Sequence, residues 1–254
     1  MLKVRVIPVL LLKEGRMVKT IKFSSYRDVG DPLRTIRVYD AQGADEIIFL
    51  DISATIDGRN QLLGIISACA RECFIPLTVG GGIRSVEEAR KVFAAGADRI
   101  SVSTAVVENP SLINNLANNF GNANIVVCID VKLDNEGVCR VSTHRATRIT
   151  QLKPVVWACE AAERGAGEIL LHFVDREGTM EYGYDLTLLS EVTHAVSIPV
   201  IACGGVGNLQ HFVDGVRIGG ASAVAAASIF HFTDQSPIKA HSYMNGAGLP
   251  VCLA

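Results

Sequence analysis

Two glycine clusters, Gly80-Gly81-Gly82 and Gly204-Gly205, each close an apolar run and precede a segment with helical spacing. Glycine lets a backbone approach an anion closely, and the start of a following helix offers free N–H groups. Each cluster alone reads as a tight turn or as a phosphate loop. Two copies at matching positions favour phosphate, and with it a ligand phosphorylated at both ends. Hydroxyls of Ser103, Thr104 and Ser228 would add donors. Asp130 ends the apolar run that begins at Ile125, where a carboxylate can act as a general acid or base, or simply bind loop backbone. Asp51, after Phe49-Leu50, poses the same choice, and Asp175 and Glu177 are further acidic candidates. His172 closes Leu170-Leu171 and is expected to face the same pocket. The other five histidines, His144, His194, His211, His231 and His241, lack metal-ligand spacing and are expected at the surface or at caps. Arg5, Glu46, Arg99 and Glu168 stand near the starts of four apolar runs. They would meet at the opposite end as a neutral ring, either a stabilising plug or a gate.

The elements that must position these groups are short β-branched runs over 4–11, 46–51, 76–79, 99–102, 125–130, 168–172, 199–202 and 223–226. A helical pattern follows each. Ser85 with Glu88 reads as a capping box, and Asp185 as an N-cap. Near-continuous apolar strands alternating with helices imply a parallel sheet covered by helices. An internal repeat selects a closed barrel over an open sheet. Gly43-Ala44-Asp45-Glu46 echoes Gly165-Ala166-Gly167-Glu168, the glycine clusters echo each other, and Ala95-Gly96-Ala97 echoes Gly219-Gly220-Ala221, all at offsets of 122 to 124 residues. The expectation is one α/β domain over 1–254, a single (β/α)8 TIM barrel whose half-barrels cover about 1–122 and 123–254. Aligning the halves sets Leu11 where the second has Asp130. Polar stretches over 13–31 and 132–148 follow strands one and five, where barrel enzymes carry working loops.

Hydrophobic residues make up 49% and charged residues 20%, which suits a large core and argues against disorder. A net charge of −2 without a basic run argues against nucleic-acid and membrane-surface partners. The seven cysteines are scattered, so free thiols are expected; Cys69 and Cys73 lack a second ligand pair, so no zinc or other metal is expected, and no cofactor. No signal-peptide pattern precedes the first strand and no apolar run reaches the roughly 18 residues of a membrane span, so a cytoplasmic protein is expected.

Over nearly its whole length the chain resembles the HisF family, the cyclase subunits of imidazole glycerol phosphate synthase. The matching stretches include Arg5-Val-Ile-Pro8, Lys13-Glu-Gly-Arg16 with Lys19, Arg27-Asp-Val-Gly-Asp-Pro32, Val79-Gly-Gly-Gly-Ile83 and Gly183-Tyr-Asp185. The resemblance implies a HisH-like glutaminase docked at the barrel bottom, with Asp98 at the partner interface. It implies ammonia passing a gate of Arg5, Glu46, Arg99 and Glu168, with Arg99 in place of the usual Lys. It implies a bisphosphorylated aminoimidazole-type nucleotide at the top, held by Lys19, Gly81, Gly82, Ser103, Thr104, Gly204, Gly205 and Ser228. The family chemistry resembles a two-aspartate scheme. The second aspartate is Asp130; the first is Leu11, which cannot carry a proton. Ser103, His172, Glu177 and Cys203 also depart from the family's Asn, Thr, Asp and Ser.

Three functions compete. The first is a HisF-like paralogue that conducts ammonia, lacks the standard cyclase step and supports a third enzyme amidating a nucleotide sugar, as in surface-polysaccharide (lipopolysaccharide) biosynthesis. The second is an active lyase of histidine biosynthesis using Asp130 with a substitute for Leu11. The third is the related barrel isomerase, against which Leu11 also counts.

Overall fold

The computed structural model describes residues 3–52, 63–72 and 74–253. Its strands are β1 (Arg5–Lys13), β2 (Arg16–Ile21), β3 (Ser24–Gly30), β4 (Ile47–Asp51), β5 (Leu77–Gly80), β6 (Arg99–Val102), β7 (Ile125–Leu133), β8 (Cys139–Thr143), β9 (Arg148–Ile149), β10 (Glu168–Phe173), β11 (Val200–Cys203) and β12 (Ala223–Ala226). Eight of them pair in parallel around a closed circuit, β1-β4-β5-β6-β7-β10-β11-β12 and back to β1. This is a (β/α)8 barrel, with a strand at each of the eight runs the pattern marks.

The strands are apolar on both faces because both faces are buried. Inward residues such as Ile7, Val9, Leu11, Ile48, Val126, Leu170 and Ile201 fill the lumen. Their neighbours in sequence, among them Val6, Leu10, Phe49, Val127 and Leu171, pack against the helices outside. Each aliphatic side chain moved fully out of water contributes about 1.5–3 kcal/mol, so the two layers hold the barrel together.

Helix starts are chemically marked. Ser85 Oγ accepts from Glu88 N at 3.1 Å ahead of the helix Val86–Ala94. Glu88 reaches back to Arg84 N at 2.6 Å, one residue before the cap, so the box is displaced by one position. Asp185 caps the helix Leu186–Ala195 through Leu188 N at 3.1 Å.

The polar stretches after strands one and five contain more order than their composition suggests. β1 turns back through Glu14 and Gly15, both at positive φ, into the antiparallel pair β2–β3. β7 turns back into β8 and then β9. Met17 and Val18 are buried, and these apolar side chains anchor the first hairpin to the barrel. Two histidines also depart from a surface reading. His241 is 2% exposed and pairs with Asp45 Oδ2 at 2.7 Å, fixing the helix Pro237–Gly246 beneath the barrel. His231 lies against Tyr39, its Nδ1 3.3 Å from the phenol oxygen.

Candidate active site at the barrel mouth

The C-terminal ends of the barrel strands form a mouth divided into two cavities. One, of about 40 Å³, is lined by Leu11, Lys19, His172, Glu177, Cys203, Gly204, Gly205 and Ser228. The other, of about 220 Å³, is lined by Asp51, Gly81, Gly82, Ser103, Thr104, Asp130, His144 and Arg145. Leu50 borders both cavities.

Strand register explains why chemistry collects on one side of this mouth. In the first half, Leu11 pairs with Leu50 and Leu50 with Gly80. In the second, Asp130 pairs with His172 and His172 with Cys203. The same level of the barrel is apolar on one side and polar on the other. The strand-one position is a buried leucine, 4% exposed.

Asp130 is held from several directions. Its Oδ2 accepts from Ser103 Oγ at 3.2 Å, and its Oδ1 lies 2.8 Å from His172 Nδ1 and 3.7 Å from Cys128 Sγ. Sequence reading named Asp130, Ser103 and His172 separately; their contact comes from the adjacency of β6, β7 and β10. The ring of His172 is also met edge-on by Phe23, at 5.2 Å between centroids. Cys203 stands beside this pair but is no thiolate nucleophile. Burial pushes its thiol up to about 12, and Glu177 and Asp130 push the same way against Lys19.

Lys19 reaches the smaller cavity from β2, 3% exposed, with no carboxylate among the described residues at ion-pair distance. Burial lowers its amine pKa, while Glu177 and Cys203 oppose that fall. A buried cation beside Gly204, Gly205 and Ser228 is an arrangement that an anion would complete. Glu177, an acidic candidate in sequence, has a positioning job: it accepts from Thr20 Oγ1 at 3.0 Å and from Phe23 N at 3.2 Å. It thereby pins the β2–β3 turn over the mouth.

The glycines are required by backbone packing. A Cβ on Gly81 (φ +103°) would lie 2.2 Å from Asp51 O, and one on Gly204 (φ +107°) 2.7 Å from Phe173 O. Both loops therefore fold against the end of the preceding strand whether or not an anion is bound. Thr104 Oγ1 is already engaged, accepting from His144 N at 3.0 Å.

At the opposite end the four predicted charges meet. Arg5 Nη1 donates to Glu46 Oε2 at 2.7 Å, and Arg5 Nη2 pairs with Glu168 Oε1. Arg99 Nη1 lies 3.3 Å from Glu46 and 2.9 Å from Glu168. Thr78 Oγ1 supplies Glu46 with a further bond at 2.5 Å. Burial pushes the Glu168 carboxyl up, and Arg5 and Arg99 pull it back. Asp98, exposed on the same face, accepts from Leu77 N at 2.8 Å. Among the described residues no group of three or more His, Cys, Asp and Glu is placed to hold a metal ion. Cys73 lies outside the described residues. No helix among them is long and apolar enough to cross a membrane.

Known proteins resemble this arrangement throughout its length. The family described as histidine biosynthesis protein matches residues 5–236. Imidazole glycerol phosphate synthase subunit HisF from Caulobacter vibrioides strain NA1000 / CB15N is 50% identical over 254 residues, covering 100% of this chain and 97% of that protein. The same subunit from strain ATCC 19089 / CIP 103742 / CB 15 matches with the same identity and coverage.

Proposed function

We propose, from the premise that the chain belongs to the histidine biosynthesis protein family as a HisF-type subunit, that it conducts ammonia along its barrel. A HisH-like glutaminase docks at the charged end, around Asp98. Ammonia enters through the ring of Arg5, Glu46, Arg99 and Glu168. The apolar lumen then carries the neutral molecule to the mouth, since it offers no charge to stabilise ammonium. A phosphorylated small molecule binds there through Lys19 with Gly204, Gly205 and Ser228, and through Gly81, Gly82, Ser103 and Thr104.

The observation that carries the finer reading is the complete charged ring beneath a mouth whose strand-one position is Leu11. With Leu11 there, the strand-one carboxylate of a two-aspartate scheme is missing. General acid–base catalysis is typically worth about 10²–10⁴-fold, so the standard cyclase route is slowed by that order. On this reading, ammonia that the mouth does not consume serves an amidating enzyme acting on a nucleotide sugar. The test combines the protein, a HisH-type partner and the bisphosphorylated aminoimidazole nucleotide. Glutaminase stimulation with slow cyclisation is expected, and turnover equal to that of an Asp-bearing relative would defeat the reading.

One observation favours a second reading, an active synthase subunit: Asp130 has an ionisable neighbour in His172. Rescue of a strain lacking its cyclase subunit, lost on Asp130→Asn, would support that alternative.

A further inference from the structure

We infer that His172, oriented by Asp130, is the proton-transfer group of this barrel mouth and takes the place of a carboxylate on strand one. Three observations carry this. His172 Nδ1 lies 2.8 Å from Asp130 Oδ1, and a carboxylate can only accept, so Nδ1 carries the hydrogen and Nε2 holds the free lone pair. The residue is 5% exposed and its ring lines the cavity that Leu11 and Lys19 also line; among the described residues no hydrogen bond takes Nε2. Phe23 closes one side of the ring at 5.2 Å, which fixes its plane. A buried imidazole with one nitrogen held by an aspartate and the other facing a cavity is the arrangement of a general base.

The chemistry balances within the site. Ammonia's nitrogen forms a bond to the carbonyl carbon of a phosphorylated acceptor. The carbonyl π pair moves onto oxygen, and the surplus N–H proton moves to Nε2, where Asp130 offsets the imidazolium charge. The Nε2 proton and one of the two remaining N–H protons then leave with that oxygen as water, giving an imine that keeps the other N–H. No oxidant or reductant is needed. Leu11 supplies no competing carboxylate, and Glu177, on the same cavity, is engaged with Thr20 and the Phe23 amide.

This inference rests on ammonia reaching the mouth, as proposed above, and it deepens the second reading, that of an active synthase subunit. The experiment separates the two. Turnover of the bisphosphorylated aminoimidazole nucleotide is measured from pH 5 to 9 with ammonium chloride alone, and again with glutamine and a HisH-type partner. The titratable groups around His172 are Asp130 and Cys128 on β7, Cys203 on β11, Lys19 on β2 and Glu177 after β10. The ammonium-driven rate, divided by the concentration of free NH3 at each pH, is expected to depend on pH in the parent. His172→Gln is expected to lower kcat on the order of 100-fold with KM nearly unchanged. It is also expected to abolish that residual pH dependence, with thermal melting confirming a folded variant. Leu11→Asp placed on His172→Gln is expected to recover turnover by returning an acid to strand one. The proton-transfer role is overturned if His172→Gln matches the parent, or if the parent shows no ammonium-driven turnover. In either case the conduit reading stands if glutamine hydrolysis is still stimulated. Ammonium-driven turnover without glutaminase coupling would sink the conduit and leave His172 in place. As a readout independent of turnover, ¹⁵N NMR should show His172 with its hydrogen on Nδ1 at neutral pH; the Nε2–H tautomer would overturn the assignment.

Discussion

At the scale of single residues, buried charge decides behaviour. Lys19 is surrounded by cavity wall without an ion-pair partner among the described residues, and its burial disfavours the ammonium form. Lys19→Met should stabilise the ligand-free protein by about 1 kcal/mol or more, because an unpaired buried charge is replaced by an apolar chain of similar length. The same change should remove most of the melting-temperature rise that inorganic phosphate gives the parent. Phosphate at about 100 times its Kd would contribute about 2.7 kcal/mol through mass action. Equal phosphate shifts in both proteins would show that the anion does not use Lys19. His231 makes a second prediction. Burial, with Lys19 adding to it, lowers its pKa from 6.5 to about 4. As pH falls the unfolded chain therefore takes up this proton before the folded one does. The resulting loss of stability begins near pH 6.5 and is complete near pH 4. His231→Gln should flatten the urea midpoint across that window, and an unchanged slope would mean that His231 is protonated in the folded state.

At the scale of elements, the loops at the mouth are fixed by close backbone contact. Gly81→Ala would set a Cβ 2.2 Å from Asp51 O at a positive φ. A loss on the order of 2 kcal/mol or more is expected from chemical denaturation. Gly64→Ala is the control: it lies in the helix Leu63–Glu72 with nothing within 4 Å of the added carbon, and it should be neutral or stabilising. The β2–β3 turn has its own anchor. Its residues Lys22 and Phe23 both hold positive φ without being glycine, and Glu177 binds Thr20 and the Phe23 amide. Backbone in that region costs about 1–3 kcal/mol unless its surroundings impose it. Glu177→Ala should speed hydrogen exchange at 21–24 and raise KM, while the barrel amides of β7 and β10 stay protected. Uniform loss of protection would instead mean that Glu177 supports the whole barrel.

At the scale of the whole molecule, the two ends of the barrel differ in chemistry, a charged ring at one and a divided mouth at the other. The charged ring joins β1, β4, β6 and β10, which are far apart in sequence. Removing one partner of a fully buried pair costs about 3–5 kcal/mol. The loss should be smaller here, because Arg5 and Arg99 are 24% and 29% exposed. Arg99→Met should lower glutamine-driven turnover relative to ammonium-driven turnover in the complex. If both fall equally, the ring is a structural plug and no gate.

The amino-acid sequence by itself determined the barrel and much of its site vocabulary. Eight doubly apolar runs can be buried only as parallel strands under helices, and the repeat of glycine clusters marks both mouth loops. The hairpins were less legible, because the turn at Lys22 and Phe23 lacks the glycine that usually marks it. The buried pairing of His241 with Asp45 left no local signal, since 196 positions separate the partners. Tertiary structure alone decided that Asp130, Ser103 and His172 touch, and that Leu11 lies on the apolar side of the mouth, in the cavity His172 also lines. Period-two patterning tells which face a residue occupies; the level at which two strands pair sets its neighbour, and that register belongs to the closed barrel.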